Sequence, residues 1–121
     1  MLSVLIPVYN FNVTALVKKL HVQASKLATD FEILLIDDKS NDNFIEKYSS
    51  LSSFSDKIKI VYLKENIGRA RIRNLLFKKA RFEDCIIMDC DVKIVSDSFL
   101  ADYFKNLNNN IVVGGHIYTE K

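Results

Sequence analysis

Apolar residues along the chain alternate between short continuous runs and stretches in which they recur every three or four positions. Residues 2–8 (LSVLIPV) form a run broken only by Ser3 and read as a buried strand. Pro7 has no backbone N–H and is tolerated at a strand end or edge, so it marks where this strand leaves the sheet. Asn10 or Asn12 can cap a helix, and Val13, Leu16, Val17, Leu20, Ala24 and Leu27 follow at helical spacing. Residues 31–36 (FEILLI) form a second run, which ends in the polar cluster Asp37, Asp38, Lys39, Ser40, Asn41 and Asp42, with loop and cap chemistry. Phe44, Ile45, Tyr48 and Leu51 suggest a short helix, followed by a serine-rich connector. Residues 58–63 (IKIVYL) read as a third strand, broken by Asn66, Ile67 and Gly68. Ile72, Leu75, Leu76 and Ala80 then make the stripe of a third helix. A fourth apolar run, Ile86, Ile87 and Met88, continues straight into Asp89, Cys90 and Asp91. Ser96, Asp97 and Ser98 precede a last helix carrying Phe99, Leu100, Tyr103, Phe104 and Leu107, and three asparagines at 108–110 end it. Ile111, Val112 and Val113 form a fifth strand, stopped by Gly114 and Gly115.

Strand and helix alternate throughout. That order predicts an α/β fold with a Rossmann-like, mostly parallel sheet, helices on both faces and right-handed crossovers. The 121 residues are one domain's worth, with no internal repeat or low-complexity linker. The sequence stops soon after the fifth strand without a closing helix, which reads as a truncated domain whose bare surface could self-associate. A formal net charge of +2 gives no reason to expect nucleic acid as a partner. No apolar run approaches the roughly 20 residues that span a bilayer, and the first residues lack the basic region of a signal peptide. The expected location is the cytoplasm. Cys85 and Cys90 lie five apart, on opposite sides of a regular strand, so they read as reduced core residues. Without further soft ligands they give no zinc site.

In a parallel sheet the carboxyl ends of the strands share one edge, and ligands bind there. Three polar clusters fall on that edge: Pro7, Val8, Tyr9 and Asn10; Asp37 and Asp38 with Lys39 and Ser40; and Asp89, Cys90 and Asp91. On a continuing strand Asp89 and Asp91 would face the same way. Two such carboxylates suit Mn²⁺ or Mg²⁺, which keeps few protein ligands and completes its shell with water and phosphate. The set suits a nucleotide, with its base against Tyr9, base or sugar donors on Asp38, and a diphosphate on a metal at Asp91. Gly68 permits an unusual backbone angle before the third helix. Arg69 and Arg73 share a helix face, and guanidinium groups near a phosphate neutralise it and bind it bidentately. Each feature also has a plainer reading. Tyr9 could be a half-buried aromatic, Asp37 and Asp38 could cap the second helix, Asp89 and Asp91 could cap a turn, and the basic run from Arg69 to Arg81 could be a solvated helix face. His21 and His116 have no visible nucleophile or metal partner and read as structural or exposed.

Together these segments resemble the family 2 glycosyltransferases, inverting enzymes of the GT-A fold. Residues 4–10 (VLIPVYN) are similar to that family's first strand and P-x-Y-N turn, and residues 35–42 (LIDDKSND) to its V-D-D-G-S-T-D segment. Asn66, Ile67 and Gly68 followed by Arg73 and Asn74 resemble its N-x-G…A-R-N helix start. Residues 87–91 (IMDCD) are similar to its D-x-D strand end, and residues 96–100 (SDSFL) to its P-D-x-L helix. Lys39 stands where the family usually has glycine, and Ser96 where it has proline. The resemblance implies that Pro7, Val8, Tyr9 and Asn10 lie against the nucleobase, commonly uracil, and that Asp38 hydrogen-bonds it. It also implies that Gly68, Arg69, Arg73 and Cys90 lie near the nucleotide, that Asp89 approaches the ribose or sugar, and that Asp91, with Asp89, holds Mn²⁺ or Mg²⁺. The implied partners are a nucleoside diphosphate sugar, foremost a UDP-sugar, and a saccharide or lipid-linked acceptor in bacterial polysaccharide or glycoconjugate synthesis. Membrane association of a longer protein would fit that role. The family's catalytic base lies well downstream of D-x-D, so the 121 residues read as the nucleotide-binding half, with no catalytic residue of their own. Glu120 is the one carboxylate after Asp97 and Asp102, and an unsuited one. Three alternatives stay open. A D-x-D phosphohydrolase would use Asp89 as nucleophile, although its motif lies early in the chain. A nucleotidyltransferase would need a glycine-rich loop near the first strand, which is lacking. A non-catalytic nucleotide-binding or interaction module would show no turnover.

Overall fold

A computed structural model describes residues 1–106. Leu107, the asparagines at 108–110, the expected fifth strand at Ile111, Val112 and Val113 and its two glycines, His116 and Glu120 lie outside the described residues. Four strands, β1 (Leu2–Val8), β2 (Phe31–Asp37), β3 (Ile58–Tyr62) and β4 (Asp84–Ile87), form one sheet in the order β3-β2-β1-β4, with every neighbouring pair parallel. Between and after them come α1 (Thr14–Ser25), α2 (Asp42–Tyr48), α3 (Leu51–Phe54), α4 (Arg69–Lys79) and α5 (Phe99–Phe104). The segment expected as one short helix and a serine connector is two short helices, with Ser52 and Ser53 inside α3.

The sheet is covered on both faces, and alternation along the strands decides which side chain goes where. Val4, Ile6 and Val8 of β1 and Ile33 and Leu35 of β2 pack with Leu16, Val17, Leu20 and Ala24 of α1, and with Tyr48, Leu51 and Leu100. On the opposite face Leu5, Leu34 and Ile36 meet Ile72 and Leu76 of α4. Burial on both sides explains why β1 and β2 read as nearly continuous apolar runs. The first two crossovers step outward from β1 to β3 over one face. The third, through α4, steps back past β2 and β1 and covers the other face, as a constant right-handed crossover requires. The strand order therefore reverses between β1 and β4, and a crevice opens there at the carboxyl edge.

One difference from expectation has a clear backbone cause. The strand does not continue through the aspartates; β4 stops at Ile87, and Asp89 and Asp91 lie in the turn that follows. The last bond of the ladder is the Met88 N–H to the Leu5 carbonyl, 3.0 Å. In a parallel ladder the next bond would come from the N–H of residue 7 to Met88, and Pro7 has none. Val8 faces the other way, and its carbonyl accepts the Asp38 N–H at 2.8 Å, so pairing with β2 runs on. Pro7 thus sits inside the central strand, at the position that releases β4 from the sheet.

Polar side chains at the far end of the sheet are paired. Glu32, buried at the far end of the sheet, accepts the Ser3 hydroxyl at 2.6 Å and the Arg81 N–H at 2.5 Å. His21 lies edge-on to Phe31 and Phe54 and meets the Ser55 hydroxyl at 2.9 Å, a packing role. Neither Cys85 nor Cys90 is in a disulfide.

Lys39 adopts a left-handed backbone with φ of 64°. A Cβ in that region costs about 1 kcal/mol, and the exposed side chain makes no hydrogen bond or ion pair among the described residues. Lys39→Gly is expected to raise stability by about 0.5–1 kcal/mol, read as a higher urea midpoint at unchanged slope.

Candidate functional site

The crevice is a cleft of about 420 Å³ lined by Pro7, Val8, Tyr9, Phe11, Asp38, Asn66, Gly68, Arg69, Ile72, Asp89, Cys90 and Asp91. That volume is in the range of small-ligand sites. The three strand-end clusters therefore meet in one wall, joined by the start of α4.

The β2 end is built around two adjacent buried carboxylates. Asp37 turns inward: its Oδ2 accepts the Ser40 N–H at 2.9 Å and its Oδ1 accepts the Tyr48 hydroxyl. Burial, and then the bond to Asp37, push the Tyr48 phenol well above the usual tyrosine range. Tyr62 stacks on Tyr48 at 6.4 Å between centroids, and burial raises its phenol too. Asp38 turns the other way and clamps the segment before α4. Its Oδ1 accepts the Ile67 N–H at 2.7 Å and its Oδ2 the Gly68 N–H at 3.0 Å. Its carbonyl accepts the Asn66 side-chain amide at 2.9 Å. Neither aspartate caps α2, whose N-cap is Asn41. Asp38 instead fixes the two residues that lead into α4, whose N-cap, Gly68, has no side chain of its own. Gly68 has φ 84° and ψ 169°, a backbone region essentially confined to glycine. A carboxylate offers about four acceptor sites, so Asp38, in the cleft wall, keeps capacity for a ligand donor.

The β1 end is held against β2. Asn10, with φ of 47°, donates its N–H to the Ser40 hydroxyl at 2.8 Å and accepts the Asn41 N–H on its Oδ1 at 2.8 Å. It lies outside the cleft wall and ties two loops together, whereas the residues flanking it, Tyr9 and Phe11, are 53% and 37% exposed along the cleft. At the β4 end, Arg73 also lies outside the wall. It reaches Asp89 from behind, Nη2 to Oδ1 at 3.0 Å, with both side chains partly exposed. Its Nε is buried and meets no partner among the described residues. Asp91 is exposed on the wall and makes no ion pair among the described residues. Cys90 is half-buried and packs on the core, and burial raises its thiol, which makes it a wall residue and a poor nucleophile. The loop after it is pinned to α1: Gln23 donates to the Ser96 carbonyl at 2.8 Å and accepts the Leu100 N–H at 2.9 Å, and Lys19 donates to the Ile94 carbonyl at 2.7 Å.

Sequence reasoning does not single out Phe11 or Ile72 as wall residues, nor Gln23 as a strut. Asn66 carried a signal in its N-x-G motif but no assigned role. The donors available for a cation are hard oxygens, from Asp91 and from the one oxygen of Asp89 not engaged by Arg73. That set fits Mn²⁺ or Mg²⁺ held mainly by a bound phosphate ligand. No cluster of three or more His, Cys, Asp or Glu side chains able to hold a metal occurs among the described residues.

Comparison with known proteins points the same way as the cleft. The family model described as Glycosyl transferase family 2 matches residues 3–121. The poly(ribitol-phosphate) beta-N-acetylglucosaminyltransferase TarP of Staphylococcus aureus strain N315 is 32% identical over 127 residues, covering 93% of this chain and 35% of TarP. The mannosyltransferase PcManGT of Pyrobaculum calidifontis, solved with GDP-Man and Mn²⁺, superposes with a TM-score of 0.70 at 20% identity, over 88% of this chain and 32% of its own. S. aureus TarS 1-349, solved with UDP-GlcNAc, gives 0.65 at 24% identity, over 89% and 31%. The chain spans about a third of the length of these proteins.

Two predictions follow the buried carboxylates. Asp38→Asn replaces one acceptor oxygen by an amide that opposes an N–H, and should cost about 2–3 kcal/mol in chemical unfolding. The Tyr48 phenol, raised in the fold, contributes stability that is complete below the unfolded tyrosine value of about 10 and is lost as pH rises above it. Stability should therefore fall by up to about 1.4 kcal/mol per pH unit above pH 10 through this group, a slope that Tyr48→Phe reduces. An equal slope in both proteins would contradict the assignment.

Proposed function

Because the chain belongs to glycosyl transferase family 2, we propose that the cleft is the site where a glycosyltransferase of the GT-A fold holds its nucleoside diphosphate sugar, and that residues 1–121 are the nucleotide-binding half of that domain. The observation that carries this reading is the convergence of three strand ends and the start of α4 on one wall of suitable size and chemistry. The exposed ring of Tyr9 offers a stacking face for the base, and the free acceptor capacity of Asp38 suits a base N–H. Asp89, oriented by Arg73, faces the ribose or sugar. Arg69, on the wall at the first turn of α4, supplies positive charge for the diphosphate. Asp91, with the remaining oxygen of Asp89, would hold Mn²⁺ or Mg²⁺, whose chemistry is to neutralise the charge that builds on the departing nucleoside diphosphate. A UDP-sugar is the proposed substrate. The proposed acceptor is a saccharide or a lipid-linked glycan, whose hydroxyl a general base would activate.

Calorimetric titration with UDP and with GDP, each with and without Mn²⁺, tests the reading. One nucleotide is expected to bind only with the metal, and Asp91→Ala to weaken it by at least about tenfold, or roughly 1.4 kcal/mol. A folded chain that binds neither nucleotide in the presence of Mn²⁺ would overturn the proposal.

A further inference from the structure

Residues 69–81 carry six of the chain's 17 basic side chains and none of its 15 acidic ones, so the remaining sequence is net acidic and the charge is polarised onto α4 and its exit. The inner face of the helix, Ile72 and Leu76, is buried on the sheet. Arg71, Asn74 and Lys78, spaced three or four apart along the other side, are exposed, as are Lys79 and, past the end of the helix, Arg81. Of these basic residues none makes an ion pair among the described residues. Acidic partners at i±4 stabilise a solvated basic helix face; α4 itself has none, and the first acidic residues, Glu83 and Asp84, come after Arg81. Phe77 stands within the same stripe and is 51% exposed. A basic face with an aromatic side chain directed outward matches an anionic lipid surface, where cations meet headgroups and the ring enters the interface.

We propose that the outer face of α4 is a peripheral docking surface for anionic phospholipid membranes. No helix among the described residues is long and apolar enough to cross a membrane, so the contact is electrostatic with a single aromatic anchor, and salt weakens it. α4 is about 16 Å long, and its first residue, Arg69, lines the cleft. A chain lying on this face therefore has a wall residue of the cleft on the helix that meets the headgroups. The docking surface stands independently of what the cleft binds. Its use for delivering a sugar to a lipid-linked acceptor rests on the donor-site reading.

The test is flotation of the 121-residue chain with vesicles of phosphatidylcholine alone and with vesicles containing about one-third phosphatidylglycerol. The wild type is expected to partition at least about tenfold more strongly onto the anionic vesicles, and Lys78→Glu/Arg81→Glu to abolish the difference. Phe77→Ser should lower partitioning several-fold at an unchanged thermal midpoint. Equal partitioning onto both vesicles, no binding to either, or charge reversal without effect would overturn the proposal. So would competition by soluble inorganic polyphosphate combined with no effect of Phe77→Ser, which would mark a track for a soluble polyanion instead. Nucleotide titration of the charge-reversed variant separates the two readings, since it should bind as the wild type does whichever way flotation comes out.

Discussion

The Asp38 carboxylate is the tie on which the cleft depends. It is buried at the carboxyl end of β2, where an ion is stable only if its oxygens are satisfied, and it is satisfied by two backbone N–H groups some thirty residues further along. The exchange fixes both partners. The aspartate is held in the wall, and the chain before α4 is held in a glycine-only conformation that starts the helix at Arg69. Everything the helix then presents follows from that start. Arg69 faces the cleft, Ile72 closes its floor against the sheet, and Arg73, one turn on, reaches Asp89. A second, negative constraint acts on β4. The missing N–H of Pro7 ends the ladder after Met88, which frees Asp89 and Asp91 to enter the cleft instead of continuing into the sheet.

Much of this was legible in the residues because it is written in local period. The two-sided burial of β1 and β2, the helical stripes of α1 and α4 and the punctuation at Gly68 need no knowledge of distant partners. The three polar clusters were legible as one edge because a parallel sheet puts every carboxyl end on the same side. What was not legible depends on contacts across the chain. Nothing near Asp91 says that β4 ends at Ile87, since the cause lies in β1. Asn10 and Arg73 carry site-like chemistry, yet their bonds to Ser40, Asn41 and Asp89 place them behind the wall. Asp38 could be read as a base-binding group or as a helix cap, and its bonds hold the lead-in to a helix other than the one that follows it. Phe11 and Ile72 enter the wall through the path of a loop and the rotation of a helix, and neither leaves a local signature. Lys39 shows the reverse: where the family keeps glycine this chain has lysine, and the backbone keeps the left-handed turn regardless.

The helix that Asp38 anchors faces two ways. Its inner stripe seals the sheet and its first turn lines the cleft, while its outer stripe gathers an unbalanced share of the positive charge. One element thus couples the place where a nucleotide sugar would sit to the surface through which the chain would meet its surroundings. The aromatic, carboxylate and guanidinium groups of the cleft belong to separate segments and act together only because the sheet edge collects them.

The most direct test of that convergence is a backbone amide map by NMR, recorded as UDP and Mg²⁺ are added together. The account predicts that the amides of Tyr9, Asp38, Gly68 and residues 89–91 shift in concert, with a single titration midpoint, while those of the far sheet end around Glu32 stay still. Shifts confined to one of these segments, or centred away from the carboxyl edge, would contradict the claim that the three strand ends form one site.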